Sequence, residues 1–335
     1  MPQSSLPVVG HKRSAPWQRE LAAAVRDLDE LCSLLRLAAS DLPAAAAGFP
    51  LLVPRGFVAR MQPENPRDPL LLQVLPTPAE DRVVDGFTAD PLHEREALAA
   101  PGLVHKYRGR ALLLAAPGCA VNCRYCFRRE FPYAQSGAGR AGIDAALTAI
   151  AADESIHEVI LSGGDPLLLD DERLGDLVLR IESIRHVRRL RIHSRLPIVL
   201  PSRVTGELAG MLRKTRLACV VVVHANHPAE LDEAVAVASV RLSDARAILL
   251  NQAVLLAGVN DSADVLAALS ERLVDLGIVP YYLHLLDRVQ GTAHFEVGEA
   301  EGLRLIDDLR RRLPGYAVPR LARELPGEPA KLWIG

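Results

Sequence analysis

Three of the chain's five cysteines fall within eight residues, in the run Gly118-Cys119-Ala120-Val121-Asn122-Cys123-Arg124-Tyr125-Cys126-Phe127-Arg128-Arg129. Thiolates are soft ligands for transition metals, and a C-x3-C-x2-C loop is short enough to bring three of them to one centre. A structural zinc site normally closes with four Cys or His ligands, so three is one too few. Three suits a 4Fe–4S cluster that leaves one iron open to a ligand from outside the protein. A metal or redox site of another kind, or a chance grouping, are the alternatives. Cys32 lies in a helical pattern and Cys219 starts an apolar strand, so both read as buried core thiols.

Lysine chemistry has few places to happen. Of 39 basic residues only four are lysines, Lys12, Lys106, Lys214 and Lys331. If pyridoxal phosphate (PLP) is a cofactor, one of these must hold it, because arginine forms no Schiff base. Lys12 lies in a polar arm, and Lys214 sits among Arg213 and Arg216 on a helix end. Lys106 precedes Tyr107 and Arg110 just before a strand. Lys331 follows the turn-rich run Leu325-Pro326-Gly327-Glu328-Pro329-Ala330; composition alone reads it as an exposed tail lysine.

The elements that must position these residues follow a rhythm. Residues 1–16 read as a loose arm, and Trp17–Leu37 as one amphipathic helix. Residues 44–101 are proline-rich and irregular. From Ala111 apolar strands alternate with helices. Strands are expected at 111–116, 158–161, 189–193, 219–224, 247–255 and 278–286. Helices are expected at 142–152, 170–184, 204–214, 229–240, 262–276 and 299–313. Six strand–helix units predict a parallel sheet with right-handed crossovers, a partial (β/α)6 TIM-like barrel. Two regions are expected: 1–100, a mostly helical or irregular N-terminal extension, and 101–335, the (β/α)6 core. Cys119, Ser162–Asp165, His193-Ser194-Arg195, His224–His227 and Asp287 each follow a strand, which places them at one common mouth. Singly, each could be a loop cap or a satisfied histidine.

Composition narrows the class. At 335 residues and 49% hydrophobic content the chain can bury a large core, and a net charge of −2 implies no bulk attraction to nucleic acid or anionic membrane. No apolar run reaches the ~20 residues of a membrane span, and the start has no signal-peptide core. A cytoplasmic protein, in a compartment that keeps thiols reduced, is expected.

The cysteine spacing resembles that of the radical S-adenosylmethionine (SAM) enzymes. Ser162-Gly163-Gly164-Asp165 resembles the glycine-rich motif that receives the SAM methionine amine in that superfamily. More specifically, His105-Lys106-Tyr107-Arg108-Gly109-Arg110, Cys-Arg-Tyr-Cys-Phe-Arg-Arg, Asn226-His227-Pro228, Asn251–Leu256 with Gly258–Asp261, and Gly291-Thr292-Ala293-His294-Phe295 resemble the lysine 2,3-aminomutase family. Upstream, Asn65-Pro66-Arg67-Asp68-Pro69 and Leu72–Pro76 match as well. The resemblance spans about Asn65 to Lys331. The ending Arg323-Glu324-Leu325-Pro326-Gly327-Glu328-Pro329-Ala330-Lys331 is similar to the branch that makes β-lysine for modification of elongation factor P.

The resemblance implies L-lysine as substrate and three cofactors: a 4Fe–4S cluster, SAM and PLP. It implies Cys119, Cys123 and Cys126 as cluster ligands and Lys331 as the PLP lysine. Arg128 would grip the substrate carboxylate, and Asp287 and Glu324 its ε-ammonium. Tyr107 and Arg110 are implied near PLP; Ser162, Gly163, Gly164, Asp165, Ser194, Arg195, His224 and Gln252 complete the expected cofactor contacts. The family usually carries Asp where Glu324 stands, and fermentative relatives carry Tyr where His284 stands. Implied partners are elongation factor P with its lysyl ligase, and an electron donor such as flavodoxin or ferredoxin. Two rival readings are an aminomutase acting on glutamate or another amino acid, and a non-catalytic zinc or iron–sulfur module that binds a translation partner.

Overall fold

The computed structural model describes residues 14–38, 48–133 and 135–335. Most of the expected N-terminal arm, with Lys12, lies outside them. Ten strands form one sheet in sequence order: β1 (Leu98–Ala100), β2 (Leu103–Tyr107), β3 (Arg110–Ala116), β4 (Glu158–Gly163), β5 (Arg189–Ser194), β6 (Ala218–Val223), β7 (Ile248–Val254), β8 (Val279–His284), β9 (Arg320–Arg323) and β10 (Leu332–Trp333). Strands β3 to β9 run parallel, while β1, β2 and β10 are antiparallel additions at the edges. The sheet is an open α/β barrel of the expected type.

Each of β3 to β8 returns through a helix, at Arg140–Ala152, Asp171–Ser183, Gly206–Lys214, Glu233–Asp244, Ala263–Asp275 and Glu299–Arg312. Several starts are set by side-chain caps that accept an orphan backbone N–H. Asp170 accepts from Arg173 N at 2.8 Å, Thr205 from Leu208 N at 3.0 Å, and Asp232 from Val235 N at 2.9 Å. The strands bury β-branched and leucine side chains such as Val159, Leu161, Leu190, Ile192, Val221 and Val223, as parallel strands covered by helices require.

Three expectations are corrected. The single helix over 17–37 is two, Pro16–Ala22 and Leu28–Leu35. Between them Val25 exchanges both backbone hydrogen bonds with Val53, and Asp27 caps the second helix. The helix expected at 229–240 begins only at Glu233, because Pro228–Glu230 is a 3-10 turn and Asp232 caps the helix after it. The parallel sheet carries a seventh strand, β9, besides the six that open strand–helix units. Its four residues, with arginine at both ends, lack the apolar run that reveals a buried strand. The segment before β1 packs into the same core as the barrel: Phe57, Leu70, Leu71 and Val74 are buried with β3 and β4 residues.

Candidate active site

A cavity of about 520 Å³ opens at the C-terminal ends of the parallel strands. Every residue the resemblance assigned to cluster, cofactor or substrate lines it, namely Cys119, Cys123, Cys126, Arg128, Tyr107, Arg110, Ser162, Gly163, Gly164, Asp165, Ser194, Arg195, His224, Gln252, Asp287, Glu324 and Lys331, whereas Ala225 and His227 of the expected mouth do not. The common mouth is present.

The cysteine loop leaves β3 and is pinned against the end of β4. Asp165 N donates to Gly118 O at 2.7 Å and Gly164 N to Ala116 O at 2.8 Å. A Cβ on Gly164 would lie 2.0 Å from Gly118 O, so only glycine allows the two backbones to close. Asp165 is fully engaged in joining β4 to β5. It accepts from Leu167 N, Ser194 Oγ, Arg195 N and Leu196 N at 2.7 to 3.2 Å. Burial still pushes its carboxyl up to about 6, against those four donors.

The thiols are enclosed. Burial, and then the nearby Cys126, push the Cys119 thiol well above its ordinary value; burial and Cys123 push Cys126 up to about 11. Metal coordination is what deprotonates such thiols outright. Among the described residues no three His, Cys, Asp or Glu side chains form a group set for a single metal ion, whereas each thiolate of a four-iron cluster ligates a different iron. Arg195 donates to Cys123 Sγ at 2.6 Å, and its other Nη donates to Gln73 and Glu230.

Two imidazoles face the cavity unpartnered. His193 Nε2 and His224 Nε2 are buried with no hydrogen-bond partner, and their rings meet edge-to-face at 5.9 Å. Burial lowers both, His193 well below the usual histidine range and His224 to about 3, so both rings are neutral at physiological pH. A buried, unmet ring nitrogen is costly unless a ligand supplies its partner.

The opposite wall is a chain of charges. Arg128 grips Glu94 with two parallel bonds, Nε at 2.7 Å and Nη2 at 2.8 Å, and its Nη1 donates to Ser162 Oγ at 2.9 Å. Lys106 Nζ stands 3.5 Å from Glu94 and 2.9 Å from Glu324. Lys331 Nζ lies 3.6 Å from Glu324 and 3.3 Å from His284 Nε2. Burial would raise Glu94 and Glu324, but Arg128 and Lys106 hold the first below its ordinary value, and Lys331 and Lys106 the second. Asp287 differs: burial, then the neighbouring Glu324, push it up to about 7. Arg110 stacks over the Tyr107 ring at 4.6 Å.

Sequence reasoning missed Glu94, which lies in a short polar loop with no periodic signal and acts only through partners 12 and 34 residues away. It also passed over Tyr133, whose hydroxyl donates to Gly163 O at 2.6 Å. Lys331 is no loose tail lysine. It immediately precedes β10, which pairs with β9 and turns the amine into the cavity.

A three-cysteine loop and a glycine-rich turn at the mouth of an open parallel α/β barrel define a radical SAM enzyme. A family model described as a 4Fe-4S single cluster domain matches residues 107–192. The L-lysine 2,3-aminomutase of Haemophilus influenzae is 46% identical, over 97% of this chain and 96% of that protein. The L-lysine 2,3-aminomutase of Escherichia coli is 48% identical, over 94% and 93%. A solved radical SAM methyltransferase from Sphaerobacter thermophilus superposes with a TM-score of 0.46 at 16% identity, over 66% of this chain and 68% of that one. The chain belongs to the lysine 2,3-aminomutase family. Its cofactors are a 4Fe–4S cluster, SAM and PLP, and the enclosed thiols, the two unmet imidazoles and the cavity-facing Lys331 amine fit them.

Proposed function

We propose that the chain rearranges L-lysine to β-lysine in this cavity. The observation that carries the reading is convergence. Three thiols, a cavity-facing lysine and both signs of charge line one enclosed space at the strand ends. When bound, the cluster with SAM supplies a carbon radical that takes a hydrogen atom, and PLP supplies the carbonyl that carries the migrating amino group.

The protein's own residues bind and orient. Cys119, Cys123 and Cys126 would hold the cluster, and Lys331 would hold PLP, with Tyr107 and Arg110 beside it. The backbone at Ser162–Gly164, with His224 and Gln252, would border SAM. Glu94 occupies Nε and Nη2 of Arg128, so a substrate carboxylate meets the Nη1 edge, beside Ser162 Oγ. Asp287 and Glu324 receive the ammonium at the far end. Two anchors stretch the substrate between them, and that fixes which carbon faces the radical source. Both far-end residues are acidic, which suits lysine and opposes glutamate.

Anaerobic incubation of the reconstituted chain with SAM, PLP, a reductant and lysine is the test. β-Lysine is the expected product. No turnover of lysine with turnover of glutamate would sink the substrate assignment, and one tightly bound zinc without visible cluster absorbance would favour a non-catalytic module. A narrower proposal is that the β-lysine serves modification of elongation factor P; it is supported by the Arg323–Lys331 ending. Adding the product to elongation factor P and its lysyl ligase should give a β-lysyl mass increment. Flavodoxin or ferredoxin is the proposed electron donor. No helix among the described residues is long and apolar enough to cross a membrane, in keeping with a proposed cytoplasmic site of action.

A further inference from the structure

One buried cation reaches a thiol of the cysteine loop. Arg195 Nη1 donates to Cys123 Sγ at 2.6 Å, and among the described residues neither Cys119 nor Cys126 receives a side-chain donor. We propose that Arg195 sets the reduction potential of the cluster held there, raising it through Cys123, and that Glu230, paired with the same guanidinium, holds that rise in check. The proposal rests on the reading of the three cysteines as cluster ligands. It turns Arg195 from a general cofactor contact into a tuning residue for one of the three cofactors.

The guanidinium is fixed and dry. Arg195 is 6% exposed and Glu230 is wholly buried. Arg195 Nη2 donates to Gln73 Oε1 at 2.7 Å and to Glu230 Oε2 at 3.2 Å, while its backbone N donates to Asp165 at 2.8 Å. The ring centroids of Phe57 and Tyr125 each lie 5.5 Å from its guanidinium carbon. The partners are themselves held. Gln73 Nε2 donates to Glu230 Oε1 at 3.1 Å, and Asn226 N and His227 N donate to the same oxygen at 2.9 and 3.1 Å. Segments far apart in the chain thus aim one charge at one sulfur, where little water is present to screen it. Reduction adds one electron to the cluster from an outside donor, with no bond made or broken. The added negative charge spreads onto the thiolate sulfurs, where a donated hydrogen bond and a positive charge favour it. A guanidinium stays charged at any working pH, so the push is constant. Glu230 meets the guanidinium on its other Nη and touches no cysteine, so its charge weakens the rise without cancelling it.

The test is a redox titration of the anaerobically reconstituted full chain without SAM, with dithionite as reductant, followed by the electron paramagnetic resonance of the reduced cluster. Arg195→Gln should lower the midpoint. At a fixed potential the ratio of reduced to oxidised cluster should fall about tenfold, which is about 59 mV for a one-electron couple. Glu230→Gln should move the midpoint the other way. Arg195→Lys, which keeps the charge with fewer donors, should fall between Arg195→Gln and the unsubstituted chain. A merely structural role would change iron content or melting temperature and leave the loaded clusters at one midpoint. Equal midpoints for Arg195→Gln and the unsubstituted chain overturn the proposal, as do shifts of the same sign in Arg195→Gln and Glu230→Gln. Where Arg195→Gln takes up no iron, Glu230→Gln decides: an unmoved or lowered midpoint overturns it. No iron in the unsubstituted chain sinks the cluster reading, and this proposal with it; iron with unmoved midpoints sinks this proposal alone.

Discussion

The two walls of the cavity are built differently. The cysteine wall is splinted from outside the sheet. Arg124 and Arg129 both donate to the buried Glu80, and the Phe49 ring lies 4.9 and 4.8 Å from their guanidinium carbons. Asn122 N donates to Leu52 O and Arg124 N to Gln73 O, both at 2.9 Å, so the loop is tied through its backbone as well. The lysine wall has few such ties. Glu94, Lys106, Glu324 and Lys331 meet through side-chain charges with Asp287 beside them, and the backbone pairing of β9 with β10 brings Glu324 and Lys331 close. A loop held by backbone bonds keeps its shape whatever is bound; a wall held by charge rearranges when a charge is added or removed.

The largest expected effects separate the walls outright. Cys123→Ser should lose nearly all bound iron after anaerobic reconstitution yet still give the imine absorbance with PLP. Lys331→Ala should do the reverse. Persistence of that absorbance in Lys331→Ala would transfer the cofactor role to Lys106.

Next comes the splint. Glu80→Gln leaves the fully buried Arg124 without its counter-ion, at a cost of about 3 kcal/mol. Denaturant melts should show that loss, and iron uptake should fall more than PLP uptake. Equal loss of both would mean that the two walls are not mechanically separate.

A smaller effect is pH-dependent. Asp287 keeps its proton up to about 7, with burial, then Glu324 and Glu94, raising it and Lys331 and Lys106 lowering it. Affinity of the chain without PLP for 6-aminohexanoate, which keeps lysine's carboxylate and terminal ammonium but lacks its α-amine, should therefore rise as pH increases through about 7, and Asp287→Asn should flatten that rise. The stability of the chain runs the other way. The folded state holds a proton that the unfolded chain releases near its ordinary value of 3.8, so stability falls from there up to about 7. Asp287→Asn should remove this slope in urea melts.

The smallest change touches neither wall. Ser262 accepts from Val265 N at 3.3 Å to cap a helix on the barrel's outer face. Ser262→Ala should cost about 1 kcal/mol and leave iron and PLP uptake unchanged. A shift in either would show that the outer helices and the site are coupled.

Much of the frame was legible because it is local. Most parallel strands from β3 to β8 announce themselves as apolar runs and β5 by alternation, and four of the six helices as periodic segments with Asp, Ser or Thr at the start. The losses were short or irregular. Strand β9 has four residues and β10 two, and the break at Val25 depends on pairing with Val53, 28 positions away. The cavity residues taken from motif resemblance all face one space, but their partners were invisible. Nothing near Arg128 in the chain announces Glu94.

Residue types and short spacings settle the chemistry available: three thiols in one loop, four lysines in the whole chain, glycines where two backbones must touch, and the alternation that builds a parallel barrel. Packing alone chooses which charges pair. It gives Arg128 to Glu94, sets Lys106 and Lys331 on one carboxylate, and leaves the Asp287 carboxyl without an ion pair among the described residues. Buried ion pairs depend on distance and on exclusion of water, and both are set by contacts between segments far apart in the chain.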